Sequence, residues 1–342
     1  MDVIHFHRDG DLRQRIANAG HRLHHLPIVP LSSPRVLGRV LALAKQIRKT
    51  GAQLVHAQDV YTNVLGAAAC QLIGSPPIIT SRRWKDEVPN RWFTPLNAWA
   101  HRNSALVLPN SSSLTETLAN EGVSESRIEI HQNFIAEAAL RPLPSDERGR
   151  WRRSLGIADQ ATVIGCVARL TRVKRHDVLI DSFRLISEMA PDAVLLIVGD
   201  GELWQKLQAQ VNGAGMEDRV IFTGTLPNSP LPQQLFDIAV LTSENEGFPN
   251  ALVEAAACAV PIVAPSVGGV VDVLIDGQTG LTVPVGDAQS TARVLLHLLQ
   301  DQHLRARLGV NGRDLIAASF SESAAIDRLL RIYEKVSRRP AK

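Results

Sequence analysis

Cysteine is scarce in this chain of 342 residues: the three present, Cys70, Cys166 and Cys258, lie far apart in alanine-rich or valine-rich surroundings. They form no CxxC pair and no Cys/His cluster, which argues against a disulfide framework or a structural zinc and for a reducing compartment. Long hydrophobic runs are missing too. No stretch reaches the roughly 20 apolar residues that cross a bilayer, and the opening MDVIHFHRDGD is too short and interrupted for a secretory leader. The chain is therefore expected to be cytoplasmic, or at most peripheral to a membrane. Neither sign of charge dominates, since 37 Lys plus Arg against 34 Asp plus Glu leaves +3, too mild a balance to argue for nucleic acid by itself. Two phosphate-binding glycine patterns are also absent. No GxGxxG follows the first strand, the later VGDGEL lacks a third glycine, and no GxxxxGK[ST] occurs anywhere. A nicotinamide dinucleotide and a phosphate-loop ATPase are both disfavoured.

What is present suits a folded cleft. Apolar residues make up 45% and charged residues 21%, the balance of an ordinary globular protein. At roughly 150 residues per domain the length provides for two hydrophobic cores. Short apolar runs alternate with amphipathic segments: DVIHF, HRLHHLPI, QLVHA, PPIITS and ALVLPN, then TVIGCVA, AVLLIVG, RVIFTG, IAVLTS and PIVAPS. Most lack strict polar alternation, as strands covered on both faces do, so the chain reads as repeated βα units in parallel sheets. Helices are expected at about 11–19, 36–50, 59–73, 96–103, 111–121, 177–189, 202–212, 250–258 and 290–304.

Between Ile135 and Arg153 the sequence IAEAALRPLPSDERGRWRR is polar, contains proline and has no strand pattern, as a connection between two sheets does. The division this gives is 1–145 for a first Rossmann-like domain, 146–325 for a second, and 326–342 for a terminal helix with a basic tail. Ile326, Leu329, Leu330 and Tyr333 recur at helical spacing there. That helix packs either back on the first domain or on its own.

The densest segment is LTSENEGFPNALVEAAACAVPIVAPSVGG, residues 241–269. A strand ends near Thr242, a loop carries Glu244, Glu246 and Gly247, and Pro249 with Asn250 opens an alanine-rich helix, proline being suited to a first turn. Such a helix starts at the C-terminal edge of a parallel sheet, where these folds bind ligands, and its free N–H groups suit a phosphate or sugar hydroxyls. Glu246 and Glu254, eight positions apart, are poor phosphate ligands but good acceptors for hydroxyls, which points to a sugar or ribose. Taken singly, each could be an ordinary solvated or helix-start carboxylate.

A second segment, IGCVARLTRVKRHDVLIDSF, runs from a strand into Arg169, with Lys174 five residues on, before a helix near Asp177. Both cations are expected above the sheet, where they can pair with a diphosphate, and Arg172, Arg175 and His176 add positive potential. Gly199-Asp200-Gly201, Gly224 and Gly268-Gly269 support a cleft with close backbone approach.

This combination, a loop arginine, a lysine five residues on and an E-x7-E segment at a helix start, resembles the retaining glycosyltransferases of family 4. The resemblance covers nearly all of residues 1–335 and is most specific in SENEGFPNALVEAAACAVPIVAPSVGG, where Ala259 stands in place of a common glycine. It implies the α/β architecture called GT-B, two doubly wound Rossmann-like domains with parallel sheets facing a central cleft. The C-terminal domain would hold a nucleotide-diphosphate sugar and the N-terminal domain much of the acceptor site. Arg169 and Lys174 match the family's diphosphate ligands, Glu246 the contact to the donor sugar, and Glu254 the contact to the ribose. The resemblance also implies backbone contacts from Gly247, Phe248, Asn250, Ala251 and Leu252 to sugar and phosphates, and a base pocket near Gly224, Thr225 and Leu226.

The first half departs from the family pattern. The opening looks like the family's second strand and the segment after it, so the usual first strand and its glycine-rich loop, about 30 to 40 residues for a βα unit with its loops, are expected to be missing. His56, at the end of QLVHA, matches a histidine common at that edge; it positions acceptor or donor, or serves structure alone. Where many relatives carry a further histidine the sequence reads Ser81-Arg82-Arg83. Arg82 and Arg83 could take an acidic acceptor or a phosphate, and Asp59 and Glu87 are weaker acceptor-side carboxylates. Residues 82–103 hold Trp84, Trp92 and Trp99 among basic side chains, fitting an anionic membrane surface, a carbohydrate platform or ordinary packing.

The expected reaction is transfer of a hexosyl unit from a UDP- or GDP-linked sugar to a hydroxyl on a saccharide or lipid-linked glycan, with retention, in surface polysaccharide or glycolipid synthesis. Arg169 and Lys174 would stabilise the leaving diphosphate, which in this family is commonly viewed as accepting the proton, and domain closure would exclude water. No cofactor, metal or nucleic acid is called for, and no obvious DxD pair occupies a strand-end loop. The alternatives are a nucleotide-sugar epimerase of the same architecture and a truncated, non-catalytic nucleotide-sugar-binding protein.

Overall fold

The computed structural model describes residues 1–6, 12–27, 29–83, 93–136, 141–226 and 231–338. The chain forms two compact units, one of Met1–Pro109, Thr115–Ile130 and Leu329–Lys342, the other of Asn110–Leu114 and His131–Arg328.

In the first unit, strands β1 (Asp2–His5) and β2 (Arg22–His25) pair in parallel around helix α1 (Leu12–Asn18). A separate parallel ladder joins β3 (Val55–Ala57), β4 (Ile78–Arg82) and β5 (Leu106–Pro109) in that order. Helices α2 (Val36–Thr50), α3 (Val60–Ile73), α4 (Phe93–Arg102) and α5 (Leu114–Asn120) connect them. Alternate residues of β4 face opposite ways, as a pleated strand requires. Ile78 packs with Leu43, Ile47 and Leu65 of α2 and α3, whereas Ile79 packs with Leu106, Leu108, Ile332 and Val336. β1 and β3 share no ladder; a cavity of about 140 Å³ is lined by Ile4 and Phe6 on one side and Val55 and Ala57 on the other.

The second unit opens with α6 (Ser145–Ser154), a helix where sequence suggests only a connection. Arg148 and Arg152 of α6 both bind Asp237, at 2.9 and 2.8 Å, and Arg152 also donates to the Leu235 carbonyl at 2.7 Å. These bonds tie the expected linker to the second unit, whose long continuous part starts at His131 rather than at residue 146. Strands β6 (Thr162–Val167), β7 (Ala193–Val198), β8 (Val220–Gly224), β9 (Ile238–Val240), β10 (Ile262–Pro265) and β11 (Gly280–Val283) form one parallel sheet ordered β11-β10-β9-β6-β7-β8. That is the 3-2-1-4-5-6 order of a dinucleotide-type fold read from its other edge. Helices α7 (His176–Ile186), α8 (Trp204–Gly213), α9 (Asn250–Ala257), α10 (Ala288–Gln300) and α11 (Gln302–Ser319) cover it. Ile164, Leu195 and Ile197 meet Leu179, Phe183 and Leu207 on one face, and Val163, Leu196 and Val198 meet Leu235, Phe236 and Ala255 on the other.

The ten strands expected from sequence are all present, and β11 is an addition. Its four residues are only half-buried in the middle and carry little apolar signal. α11 is a further addition, because Asp301 both terminates α10 and caps α11, its side chain accepting from Leu304 N at 2.8 Å. Helix α12 (Glu322–Ser337) comes next, and from Leu329 onward it belongs to the first unit.

Candidate functional site

β6 and β9 are neighbours in the sheet although their connections run to opposite edges, so the second unit has its topological switch point between them. The residues singled out in the sequence lie just after these two strands. Arg169 comes directly after β6, on a loop held by bonds from Ala168 N to Val198 O and from Leu170 N to Asp200 O. The loop after β7 lies flat against it, and this close approach explains two glycines. A Cβ at Gly199, whose φ is +139°, would overlap the Ala168 carbonyl, and one at Gly201 would sit 2.5 Å from the Leu170 carbonyl oxygen. Together the strand ends line an open recess of about 610 Å³, bordered by Arg169, Asp200, Gly201, Thr225, Leu226 and Pro232 among others. Arg169 is exposed at its edge, and among the described residues its side chain has no ionic or hydrogen-bonding partner. Gly224, at φ +66°, turns the chain out of β8 toward Thr225 and Leu226 and accepts a bond from Gly199 N at 2.9 Å.

Lys174 differs from Arg169 in being already neutralised. It ends a 3-10 turn, Arg172–Lys174, fastened to the loop after β9: Thr242 Oγ1 donates to the Arg175 carbonyl at 2.8 Å and Glu244 N to the Val173 carbonyl at 2.9 Å. This brings Lys174 Nζ to 2.7 and 2.8 Å from the two carboxylate oxygens of Glu246. Glu246 is 7% exposed and accepts a further bond from Ser243 Oγ at 2.6 Å. Gly268 and Gly269 seat this loop: a Cβ at Gly268, φ +51°, would overlap the Glu246 carbonyl oxygen, and one at Gly269 would overlap that of Gly247. The glycine pair thus serves backbone contact within the protein.

Of the neighbouring basic residues, Arg175 and His176 do not add the positive potential expected of them. Arg175, at φ +49°, pairs with Glu244 at 2.5 Å and with Asp177 at 3.1 Å. His176 is 1% exposed, and burial, helped by the charge of Lys174, pushes its pKa down to about 4, so it is neutral at pH 7. Arg172 stays exposed.

Helix α9 begins at Asn250 with Pro249 just outside it. Several nearby residues turn their side chains inward: Phe248 meets Phe320 at 5.7 Å between ring centroids, and Leu252 is buried in the core. The N–H groups of Asn250 and Leu252 are bonded to the carbonyls of Phe248 and Pro249. The Asn250 side chain accepts from Asn133 Nδ2 at 2.8 Å, while Ala251 and Gly247 are half-buried. Glu254 is half-buried one turn into the helix; Gln233 Nε2 donates to its Oε2 at 2.7 Å. Burial raises its carboxyl above the usual glutamate value, against the smaller lowering effect of that bond.

Within the first unit, His56 is held from two sides. Its Nδ1 lies 2.7 Å from Tyr333 Oη and its Nε2 2.9 Å from Ser81 Oγ, with the Tyr333 ring packed edge-on. Arg82 is buried and paired with Glu121 at 3.0 Å, so it is not offered to an acidic ligand. Arg83 donates to Gln58 at 2.6 Å. Asp59 caps α3, accepting from Thr62 N at 2.9 Å, a structural role in place of the acceptor-side one expected. Of the aromatic and basic stretch, Trp99 packs on the core of this unit and His101 is buried, its pKa pushed down to about 3 by burial and by Arg82. Glu87, Trp84 and Trp92 lie outside the described residues. Among the described residues no helix is long and apolar enough to cross a membrane, and no group of three His, Cys, Asp or Glu side chains converges as metal ligands would.

Two residues at this site are missed by sequence reasoning. Ser243 is legible as a hydroxyl beside the glutamate loop. Gln233 is not, because LPQQLF reads as an unremarkable turn and nothing in it says which glutamine is buried.

Comparison with known proteins fits this geometry. Residues 147–315 match the family described as "Glycosyl transferases group 1", and residues 1–138 match "Glycosyltransferase Family 4". An N-acetyl-alpha-D-glucosaminyl L-malate synthase of Bacillus anthracis is 31% identical over 62% of this chain, and the matched part is 54% of that relative. An alpha-D-kanosaminyltransferase of Streptomyces kanamyceticus is 27% identical over 96% of this chain and 92% of its own. Among solved structures, Anabaena Alr3699/HepE in complex with UDP superposes with a TM-score of 0.86 at 21% identity, covering 98% of this chain and 92% of that one. Sucrose-phosphate synthase from Thermosynechococcus elongatus superposes with a TM-score of 0.81 at 21% identity, covering 98% and 88%. These likenesses show the GT-B fold, with two Rossmann-like units built on parallel sheets.

Proposed function

Because the chain belongs to the group 1, family 4 glycosyltransferases, we propose that it moves a hexosyl unit from a nucleotide-diphosphate sugar to a hydroxyl acceptor with retention of configuration. The observation that carries this reading is Arg169, whose side chain has no partner among the described residues, at the edge of an open recess of about 610 Å³ over the ends of β6, β7 and β8. Lys174 and Glu246 already cancel each other, so of these two cations Arg169 is the one with charge to give to a diphosphate. Thr225, Leu226 and Pro232 form the wall for the nucleoside. Lys174 and Glu246 stand together where diphosphate and sugar meet, one donating to phosphate oxygens and the other accepting from a sugar hydroxyl. As the bond from the sugar's anomeric carbon to the diphosphate breaks, Arg169 supplies the charge that stabilises the leaving group and Lys174 adds a hydrogen bond to it. The acceptor oxygen bonds to that carbon, and its proton passes to a diphosphate oxygen.

Relatives with UDP or UDP-glucose bound support a UDP donor, and GDP is the second choice. A capsular polysaccharide glycosyltransferase of Staphylococcus aureus and a lipopolysaccharide core glycosyltransferase of Rhizobium meliloti, 29% and 26% identical, support a surface glycan as acceptor. We place the reaction on the cytoplasmic face of the membrane, where a lipid-linked acceptor is met. His56, fixed by Tyr333 and Ser81, offers no free nitrogen for proton transfer and acts here by shaping the first unit's strand edge.

The test is calorimetric titration of UDP, GDP, ADP and their sugar conjugates into the wild-type chain and R169A. One nucleotide series binds in the micromolar range, and R169A weakens it roughly 10- to 150-fold, the worth of a charge-assisted hydrogen bond of about 1.5–3 kcal/mol. A folded wild-type chain that binds none of these ligands, or R169A binding as wild type does, refutes the assignment.

A further inference from the structure

We propose that Gln233 is a positioning residue for Glu254: it holds one carboxylate oxygen and so leaves the other for a vicinal hydroxyl pair, the ribose of the bound nucleotide. The proposal rests on the donor-site reading above. Gln233 lies in a 3-10 turn, Pro232–Leu235, and is 1% exposed. Its neighbours on that turn serve other ends, Pro232 lining the nucleoside cavity and Leu235 filling the core. Gln233 Nε2 donates to Glu254 Oε2 at 2.7 Å and reaches the Ala251 carbonyl only at 3.5 Å. Its Oε1 is buried with no hydrogen-bond partner among the described residues.

A buried amide left half-satisfied is costly, and for packing alone a methionine would serve at this volume. Its one short bond is to Glu254. A carboxylate has about four acceptor positions, and this one has a single side-chain donor among the described residues. Among those residues it also has no cation within ion-pairing distance. It is therefore short of donors at Oε1. A phosphate at neutral pH has none to give, whereas two adjacent hydroxyls have two. The same turn fixes both halves of the subsite, since Pro232 opens it with a locked φ and Gln233 comes directly after. Nucleoside wall and hydroxyl acceptor are thereby kept in one register.

The experiment compares the wild-type chain with Q233M, E254A and the double variant, titrated with UDP, GDP and their 2′-deoxy and 3′-deoxy forms, with melting curves to confirm folding. Wild type prefers the ribonucleotide by roughly tenfold or more, the worth of hydrogen bonds to a charged acceptor. Q233M loses most of that preference while binding the deoxy forms within about twofold of wild type, and the double variant loses no more than E254A. Q233N keeps the amide but shortens its reach by a methylene; it behaves like Q233M and serves if Q233M does not fold. Equal weakening of ribo and deoxy forms in Q233M overturns the proposal while leaving Glu254 in place. Hydroxyl preference persisting in E254A overturns the ribose role of Glu254 and this proposal with it. No nucleotide binding by folded wild type overturns the donor site as a whole.

Discussion

Replacing Lys174 by methionine removes the cation facing Glu246 and keeps the volume of the stem. The Glu246 side chain is 6% exposed and that of Lys174 23%, so the two partners are not equally able to reach water once the pair is broken. Taking one partner from a buried pair costs about 3–5 kcal/mol, because the other stays charged and uncompensated. Ser243 Oγ remains at 2.6 Å as a donor to Glu246, which argues for the lower end, about 3 kcal/mol. For a unit of this size each kcal/mol shifts the midpoint by about 2–4 °C, so K174M should lower the second unit's melting transition by roughly 6–12 °C. E246Q leaves a lysine that can swing to solvent and an amide that can still meet Ser243; about 1 kcal/mol and 2–4 °C are expected. The double variant K174M/E246Q buries no charge and should melt close to E246Q. Differential scanning calorimetry with a rescan for reversibility reads all three. A K174M midpoint within about 2 °C of wild type, or a double variant as unstable as K174M, would refute the view that an uncompensated Glu246 causes the loss.

Glu254 gives a prediction of opposite sign. Its carboxyl is raised by burial, so the fold favours the neutral form; that contribution is complete below the ordinary glutamate value and lost as pH rises through the folded value. E254Q should therefore melt higher than wild type at pH 7 and no higher at pH 4, and a lower midpoint at pH 7 contradicts it. Burial pushes the Asp237 carboxyl up, but Arg152, the Val163 N–H and Arg148 outweigh it and hold it below the usual aspartate value. Its stabilisation is present above that ordinary value and is lost as pH falls through the lower, folded one. D237N should cost about 3–5 kcal/mol at pH 7, from a buried Arg152 left without its anion, and should flatten the acid limb of the melting profile below about pH 4; an unchanged acid limb argues against this. G268A puts a methyl into the Glu246 carbonyl at positive φ, so a loss of about 3 kcal/mol is expected, together with weakened UDP binding by calorimetry. Wild-type affinity in G268A would show that the loop can move without harm.

The fold is legible where one physical signal dominates. The strands of the second sheet are apolar runs of β-branched residues, and the E-x7-E spacing at a helix start places Glu246 in the loop after β9 and Glu254 in α9, as the structure has them. What composition hides is pairing. Nothing in RLTRVKRHD distinguishes a cation with a partner from one without, yet Lys174 is neutralised by a residue far along the chain while Arg169 has no such partner among the described residues. The same holds for Arg82, whose basic neighbour suggests a ligand site and whose actual partner is Glu121. Glycines are legible in part: Gly199, Gly201 and Gly268 read as close backbone approach, and the structure adds that the backbones they approach belong to neighbouring loops. α6 is hidden because its long basic side chains look solvated, although Arg152 is buried against Leu235 and Asp237.

Helix α12 sets a timetable for the ribosome. The face of β4 and β5 that carries Ile79, Leu106 and Leu108 is closed by Ile332 and Val336, which lie beyond the whole of the second unit in chain order. At about 5–20 residues per second of translation, the first unit's leading strands wait on the order of 10–40 s with one apolar face open while the second unit is made. During that interval the face is a client for chaperones, and a ribosome stalled after the second unit would release a nascent chain whose later half is finished and whose earlier half is not.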